Sequence, residues 1–242
     1  YTGADIGGFG SDTTEDLVMR WIQLAMFSPL MRNHTALGTR MQEVYQFDHM
    51  DRFRDILGLR YGMLPYIYSE YMKAALRGEM YFTPLSFVYT EDEFAPQVED
   101  QLLVGDSLMI APVYSQNAEG RYVYLPEEMA LLRFRSLTDF DKEILPAGHH
   151  YVKAGLYEML VFVRPDKILL LSEGGESTED VDTDSVKALA FVKEKAVYEW
   201  YEDDGKGKDF ENPANYGMIE IDKAGTCVYT GCRKKEIQAE IL

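Results

Sequence analysis

Residues 3 to 10, GADIGGFG, set one carboxylate, Asp5, and one aromatic ring, Phe9, on a backbone nearly free of side-chain bulk. Glycines permit backbone conformations and close approaches that other residues resist, so a ligand can lie against such a loop. A second polar cluster follows in SPLMRNHT, residues 28 to 35, where Arg32, Asn33 and His34 stand in a row. Asp accepts hydrogen bonds from hydroxyls, neutral His both donates and accepts, and an aromatic ring covers the apolar face of a sugar. Together these residue types suit a neutral polyol. Taken singly they are ordinary, since a Gly-rich stretch with one Asp is most often a plain turn and a lone His in an apolar strand is most often structural.

The elements that must position these groups follow from hydrophobic spacing. From 1 to 83 the pattern is strand, helix, strand, long helix. YTGAD has the character of the end of a buried strand with nothing before it to pair with, and the chain has no initiator Met, so a longer parent protein is expected. Asp12 and Glu15 look like a capping pair ahead of Leu17, Trp21, Leu24 and Ala25 at helical spacing, in a helix ending near Phe27. Leu30 and Met31 carry a short strand into Arg32, Asn33 and His34. Asp48 then caps a helix through Phe53, Ile56, Leu57, Tyr61 and Leu64, interrupted or kinked at Pro65 and resuming through Tyr68, Tyr71, Met72 and Leu76 to Gly78. Strand, helix, strand, helix with short links is the βαβα grammar of a parallel sheet or barrel. In a barrel, residues at the C-terminal ends of strands face the active site, which puts Asp5 and His34 at the mouths of consecutive strands.

From 84 onward strand-like runs separated by turns take over: LSFVYT, SLMIAPVY, RYVYLP, LLRFRS, HHYVKAG, MLVFVRP and KILLLS. They suggest an antiparallel β-sandwich over 84–171. The acidic, Gly- and Ser-rich segment 172–185 has the composition of a solvated loop or linker, and the strands beyond it suggest a smaller β domain over 172–242.

Composition narrows the partners. Lys and Arg number 24 against 41 Asp and Glu, a net charge of −17 that repels nucleic acid phosphates and anionic membrane surfaces. No apolar run approaches the roughly 18 residues a membrane span requires. Cys227 and Cys232 lack both CxxC spacing and a His at zinc spacing, and are read as reduced thiols of a cytoplasmic protein. His149 and His150 point to opposite faces of a strand, poor geometry for a shared metal. YEDDGKGKDF departs from the calcium-loop pattern and reads as a turn on a solvated edge. Neither a metal nor a cofactor is expected.

In order along the chain, GADIGGFG, RW at 20 to 21, PLMRNH at 29 to 34, LRYGMLPYIYSEY at 59 to 71, TPL at 83 to 85, EDQLLVGDSLMIAPV at 99 to 113, RYVYLP at 121 to 126 and YEDDG at 201 to 205 resemble the C-terminal portion of glycoside hydrolase family 31. The resemblance implies the last two βα units of a catalytic (β/α)8 barrel over 1–83, then two C-terminal β-sandwich domains. It also implies an α-glucosidase-like activity in the whole protein, on a neutral α-linked glucoside or oligosaccharide. Carried over by position, Asp5, Phe9 and His34 match loop residues lining the subsite for the non-reducing glucose, and Arg32 matches an arginine beside it.

The family resembles other retaining glycosidases in using two carboxylates about 5 to 5.5 Å apart, as nucleophile and general acid/base. Both precede the GADIGGF segment in that family, and neither a WxDMNE-like nor a WxGD-like motif occurs here. No catalytic residue is therefore assigned within the chain, which is expected to be inactive alone and to supply pocket walls. Glu43 and Tyr45 are candidates for the pocket rim. The alternative is a stand-alone, non-catalytic module for carbohydrate binding or assembly. Two barrel strands cannot close a barrel, so either reading calls for an upstream barrel portion or self-association to cover the strand edges.

Overall fold

In the computed structural model, which describes residues 3–242, strands Asp5–Ile6 (β1) and Arg32–Asn33 (β2) lie parallel, Asp5 opposite Arg32 and Ile6 opposite Asn33. The first two residues of YTGAD fall outside the described residues. A parallel pair needs a crossover, here the helix Glu15–Ala25 (α1). The expected Asp12 cap is displaced by Thr14, whose hydroxyl accepts the Leu17 N–H at 3.2 Å, while Asp12 accepts the backbone N–H of Arg40. The buried stripe also differs from the one read from spacing. Val18, Met19, Ile22 and Ala25 are buried, whereas Leu17 is exposed. A second interface accounts for the shift: buried Arg20 donates to the carbonyls of Ala118, Ala154 and Gly155, and Gln23 to that of Leu156. Burial lowers the pKa of the Arg20 guanidinium, with Asp16 and Glu158 opposing the shift.

The helix Met50–Arg77 (α2) starts from His49 rather than Asp48, with no side-chain cap. It runs unbroken through Pro65, which has no N–H to offer the Tyr61 carbonyl one turn back. Buried Ser172 stands in, with Oγ 3.5 Å from that carbonyl and its N–H on Gly62 O at 2.8 Å. Residue 172 is thus a packing residue at the head of an otherwise exposed acidic segment. Gly78, at φ 68°, closes the helix in the left-handed conformation. Helix α1 has no basic residue in its last turn, and Arg60 of α2 supplies the missing cation at Met26 O and Ser28 O.

Beyond α2, LSFVYT is not a strand. Strand Phe82–Pro84 (β3) ends where Pro84 withholds its N–H, and Leu85–Val88 (α3) turns into a short helix. Periodicity cannot separate the two states in so short an apolar run. The next strands are Leu102–Val104 (β4), Leu108–Ile110 (β5), Gly120–Leu125 (β6), Met129–Phe134 (β7), Phe140–Leu145 (β8), Gly148–Lys153 (β9) and Met159–Val163 (β10). Five of them join β3 in an antiparallel sheet ordered β3-β4-β5-β10-β7-β8, and β6 pairs with β9 as a separate ribbon. Because β10 is covered on both faces, MLVFV is apolar throughout: Leu160 and Phe162 face the ribbon's Val123, Leu125 and Val152, while Val161 and Val163 join the core with the helices.

Strands Lys167–Leu171 (β11), Ser185–Phe191 (β12), Lys195–Tyr201 (β13), Tyr216–Asp222 (β14), Cys227–Gly231 (β15) and Glu236–Ile241 (β16) complete the chain. Their sheets are β11-β12-β16 and β13-β14-β15. The expectation of a wholly antiparallel C-terminal part is corrected here, since β12 and β16 pair in parallel. The β13–β14–β15 meander is the crossover that brings the chain back in the same direction. Hydrogen bonding passes to the distal sheets between Val163 and Lys167, because β11 pairs with β12 across the acidic segment.

Candidate functional site

At the C-terminal ends of β1 and β2 the chain turns into two loops. Gly7 and Gly8, at φ 89° and 87°, make the first turn, closed by Gly8 N–H on Asp5 O at 3.1 Å. A side chain at Gly7 would place Cβ 2.9 Å from Gln42 Nε2, so glycine is required twice over, by conformation and by space. The second loop is tied to the first by Ala36 N–H on Phe9 O at 2.9 Å.

The four residues singled out from the sequence meet here as two pairs. Arg32 Nε donates to Asp5 Oδ1 at 3.1 Å, and Nη2 converges on the same oxygen. No hydrogen bond among the described residues uses Oδ2. The Phe9 and His34 rings lie with centroids 5.4 Å apart, tilted by 35°. Phe9 is 51% exposed, so its ring is available to a ligand. The two pairs lie on neighbouring loops joined by the Ala36–Phe9 backbone bond. Such side chains can accept and donate hydrogen bonds to hydroxyls and cover an apolar face.

Sequence reasoning missed Gln42, which is 1% exposed and holds both loops. Its Nε2 donates to Ile6 O at 2.9 Å and lies 3.0 Å from His34 O, while Asn33 Nδ2 donates to Gln42 O at 2.7 Å. A buried amide bridging two loop carbonyls has no signature in spacing. Glu43 and Tyr45, candidates for the pocket rim, line with Ile6, Met31, Asn33, Leu57 and Tyr61 a groove of about 540 Å³ that includes none of the four site residues.

Other candidates resolve simply. His149 and His150 do point apart, His149 toward Phe94 and Tyr124 and His150 Nε2 onto Pro146 O. In YEDDGKGKDF, Asp203 accepts the Gly205 N–H and Asp204 those of Lys206 and Gly207, closing an exposed turn. Among the described residues no three His, Cys, Asp or Glu are placed to hold a metal, and no helix is long and apolar enough to cross a membrane.

Residues 1–70 match the glycosyl hydrolases family 31 TIM-barrel domain, and residues 78–169 the family 31 C-terminal domain. Alpha-glucosidase 2 of Bacillus thermoamyloliquefaciens is 32% identical over 235 residues, 95% of this chain and 29% of that protein. The lysosomal alpha-glucosidase of Bos taurus is 41% identical over 127 residues, 52% of this chain and 14% of that protein. The chain thus spans less than a third of the length of these relatives. A crystal structure of the alpha-1,4-glucan lyase of Gracilariopsis lemaneiformis superposes with a TM-score of 0.82 at 22% identity, covering 99% of this chain and 27% of that one. A fold that carries a lyase does not by itself fix a reaction. With two family domain models matched in order and a relative aligned with 95% of it, the chain belongs to glycosyl hydrolase family 31.

Proposed function

We propose that the chain is the C-terminal part of a retaining α-glucosidase-type glycoside hydrolase. It supplies one wall of the sugar pocket and the β domains, while the reacting carboxylates come from the upstream barrel. The observation that carries this reading is the pairing of Asp5 with Arg32 and Phe9 with His34 at the C-terminal ends of two consecutive parallel strands. In the whole enzyme a carboxylate displaces the aglycone at the anomeric carbon to give a glycosyl-enzyme, and water then releases sugar of retained configuration. Asp5 Oδ2 and His34 would bind hydroxyls of the non-reducing sugar, Phe9 would cover its apolar face, and Arg32 would fix the Asp5 carboxylate.

The division into 1–83, 84–171 and 172–242 belongs to this reading, with the sheet change near residue 165 favouring an earlier second boundary. So do a cytoplasmic location, favoured by the free thiols Cys227 and Cys232, and coverage of the β1–β2 edges by upstream barrel or by self-association. The test is kinetic. In the full-length protein, Asp5→Asn and His34→Ala are each expected to lower kcat/KM for an α-glucoside by about a hundredfold without shifting the unfolding midpoint. Unchanged kinetics in both would remove these residues from the pocket. A full-length protein that binds sugar but cleaves no α-glycoside would favour the non-catalytic module instead.

A further inference from the structure

The β6–β9 ribbon buries one face and leaves the other rich in aromatic rings. Val123, Leu125 and Val152 point into the core, so the alternation of side chains turns Tyr122, Tyr124, His149 and Tyr151 outward. Tyr122 and Tyr151 are direct cross-strand partners, 76% and 53% exposed, with ring centroids 5.2 Å apart. One step along the ribbon, Tyr124 faces His149 at 4.8 Å, and Phe94, 47% exposed, packs 5.6 Å from Tyr124 and 5.2 Å from His149. Asp92 fixes this end, accepting the Tyr124 hydroxyl at 2.6 Å and the Phe94 N–H at 2.8 Å. The rings are thus held by a rigid ribbon and cost little entropy to use.

We propose that this face is a second carbohydrate-binding surface, a platform for a neutral polysaccharide chain separate from the wall at Asp5. Exposed rings in succession along one strand offer stacking area to successive sugars, and the phenol, imidazole and carboxylate groups between them serve hydroxyls. Charge selects the occupant: the chain carries −17 overall and Asp92 stands in the platform, which disfavours phosphorylated, sulfated or uronate polymers and anionic lipid. The α-glucan used as probe rests on the proposed function; the platform rests on its own geometry.

The test uses the full-length protein and insoluble starch at low temperature, with dextran sulfate beads as the charged control. Wild type is expected to be retained by starch and not by dextran sulfate. Tyr122→Ala with Tyr151→Ala is expected to weaken retention about tenfold, while the paired Phe variants keep it because the rings remain. Equal retention of the Ala variant, or no retention of wild type, would overturn the proposal. So would protection of both tyrosines from nitration in the absence of sugar, which would show that the upstream chain covers the face. Turnover of a small soluble α-glucoside reports on the Asp5 wall and is read separately, so failure of either reading is distinguishable from failure of the other.

Discussion

The βαβ segment at 3–49 and the six-stranded sheet are built on opposite terms. In the sheet, β7 and β10 bond to neighbours on both sides and bury nearly every side chain. In the βαβ segment two strands of two residues each pair, among the described residues, with one another alone, and Asp5, Phe9, Arg32 and His34 lie at or just beyond them. Order there comes from a few polar ties: Arg60 of α2 holds the end of α1 from outside, and within the segment the buried amide of Gln42 and the Ala36–Phe9 backbone bond join the two loops. The difference shows how an exposed, polar set of side chains can be held in place while most of the apolar burial lies in other elements.

If the β-rich part and α2 carry the stability, the largest loss should come from their shared polar joint. Lys73 and Glu70 on α2 are 8% and 4% exposed, with Nζ 2.6 Å from Oε1, and Lys73 also donates to Glu199 O on β13 at 2.7 Å. Lys73→Met strands a buried carboxylate and is expected to cost about 3 to 5 kcal/mol by urea unfolding, most of it restored by adding Glu70→Gln. A loss below about 1 kcal/mol would mean that water already reaches the pair.

Gln42→Leu attacks the other region. It should lower stability by only about 1 to 3 kcal/mol, yet reduce kcat/KM of the full-length protein by about a hundredfold, because both loops lose their shared tether. Equal effects of Gln42→Leu on substrate turnover and on a remote probe of folding would erase the proposed contrast. Gly7→Ala sharpens it: a methyl group at φ 89° pressed on Gln42 should cost about 1 to 2 kcal/mol, confined to the same loops and visible as local loss of hydrogen-exchange protection.

The smallest effect lies at the far end. Hydrogen bonds from Lys187 and Lys142 hold the Glu240 carboxyl below its ordinary 4.5. Its contribution is therefore complete above the unfolded-state value and is lost as pH falls through the lower folded one. Glu240→Gln should flatten the acid limb of the stability curve by less than about 1 kcal/mol, since the pair is partly exposed. A steeper acid limb in the variant would reverse that assignment.

Much of this was legible in the chain. The long helix ending at Gly78 followed from spacing, and the placing of Asp5 and His34 at the ends of two neighbouring parallel strands followed from the strand-helix-strand pattern. The misreadings share a cause. LSFVYT is too short for its period to decide between strand and helix, Thr14 prevailed over Asp12 because Arg40 claims the carboxylate, and the buried stripe of α1 moved because Arg20 and Gln23 dock on loops about a hundred residues away.

By itself, then, the sequence determined the local states with strong period or glycine chemistry, and that Asp5 and His34 lie at the ends of two neighbouring strands. Tertiary structure alone decided which oxygen of Asp5 Arg32 occupies, that Gln42 joins the two loops, that β12 and β16 run parallel, and that five aromatic rings share one open face. The physical reason is range: helix and turn preferences act over a few residues, whereas these contacts join segments whose separation along the chain leaves no local trace.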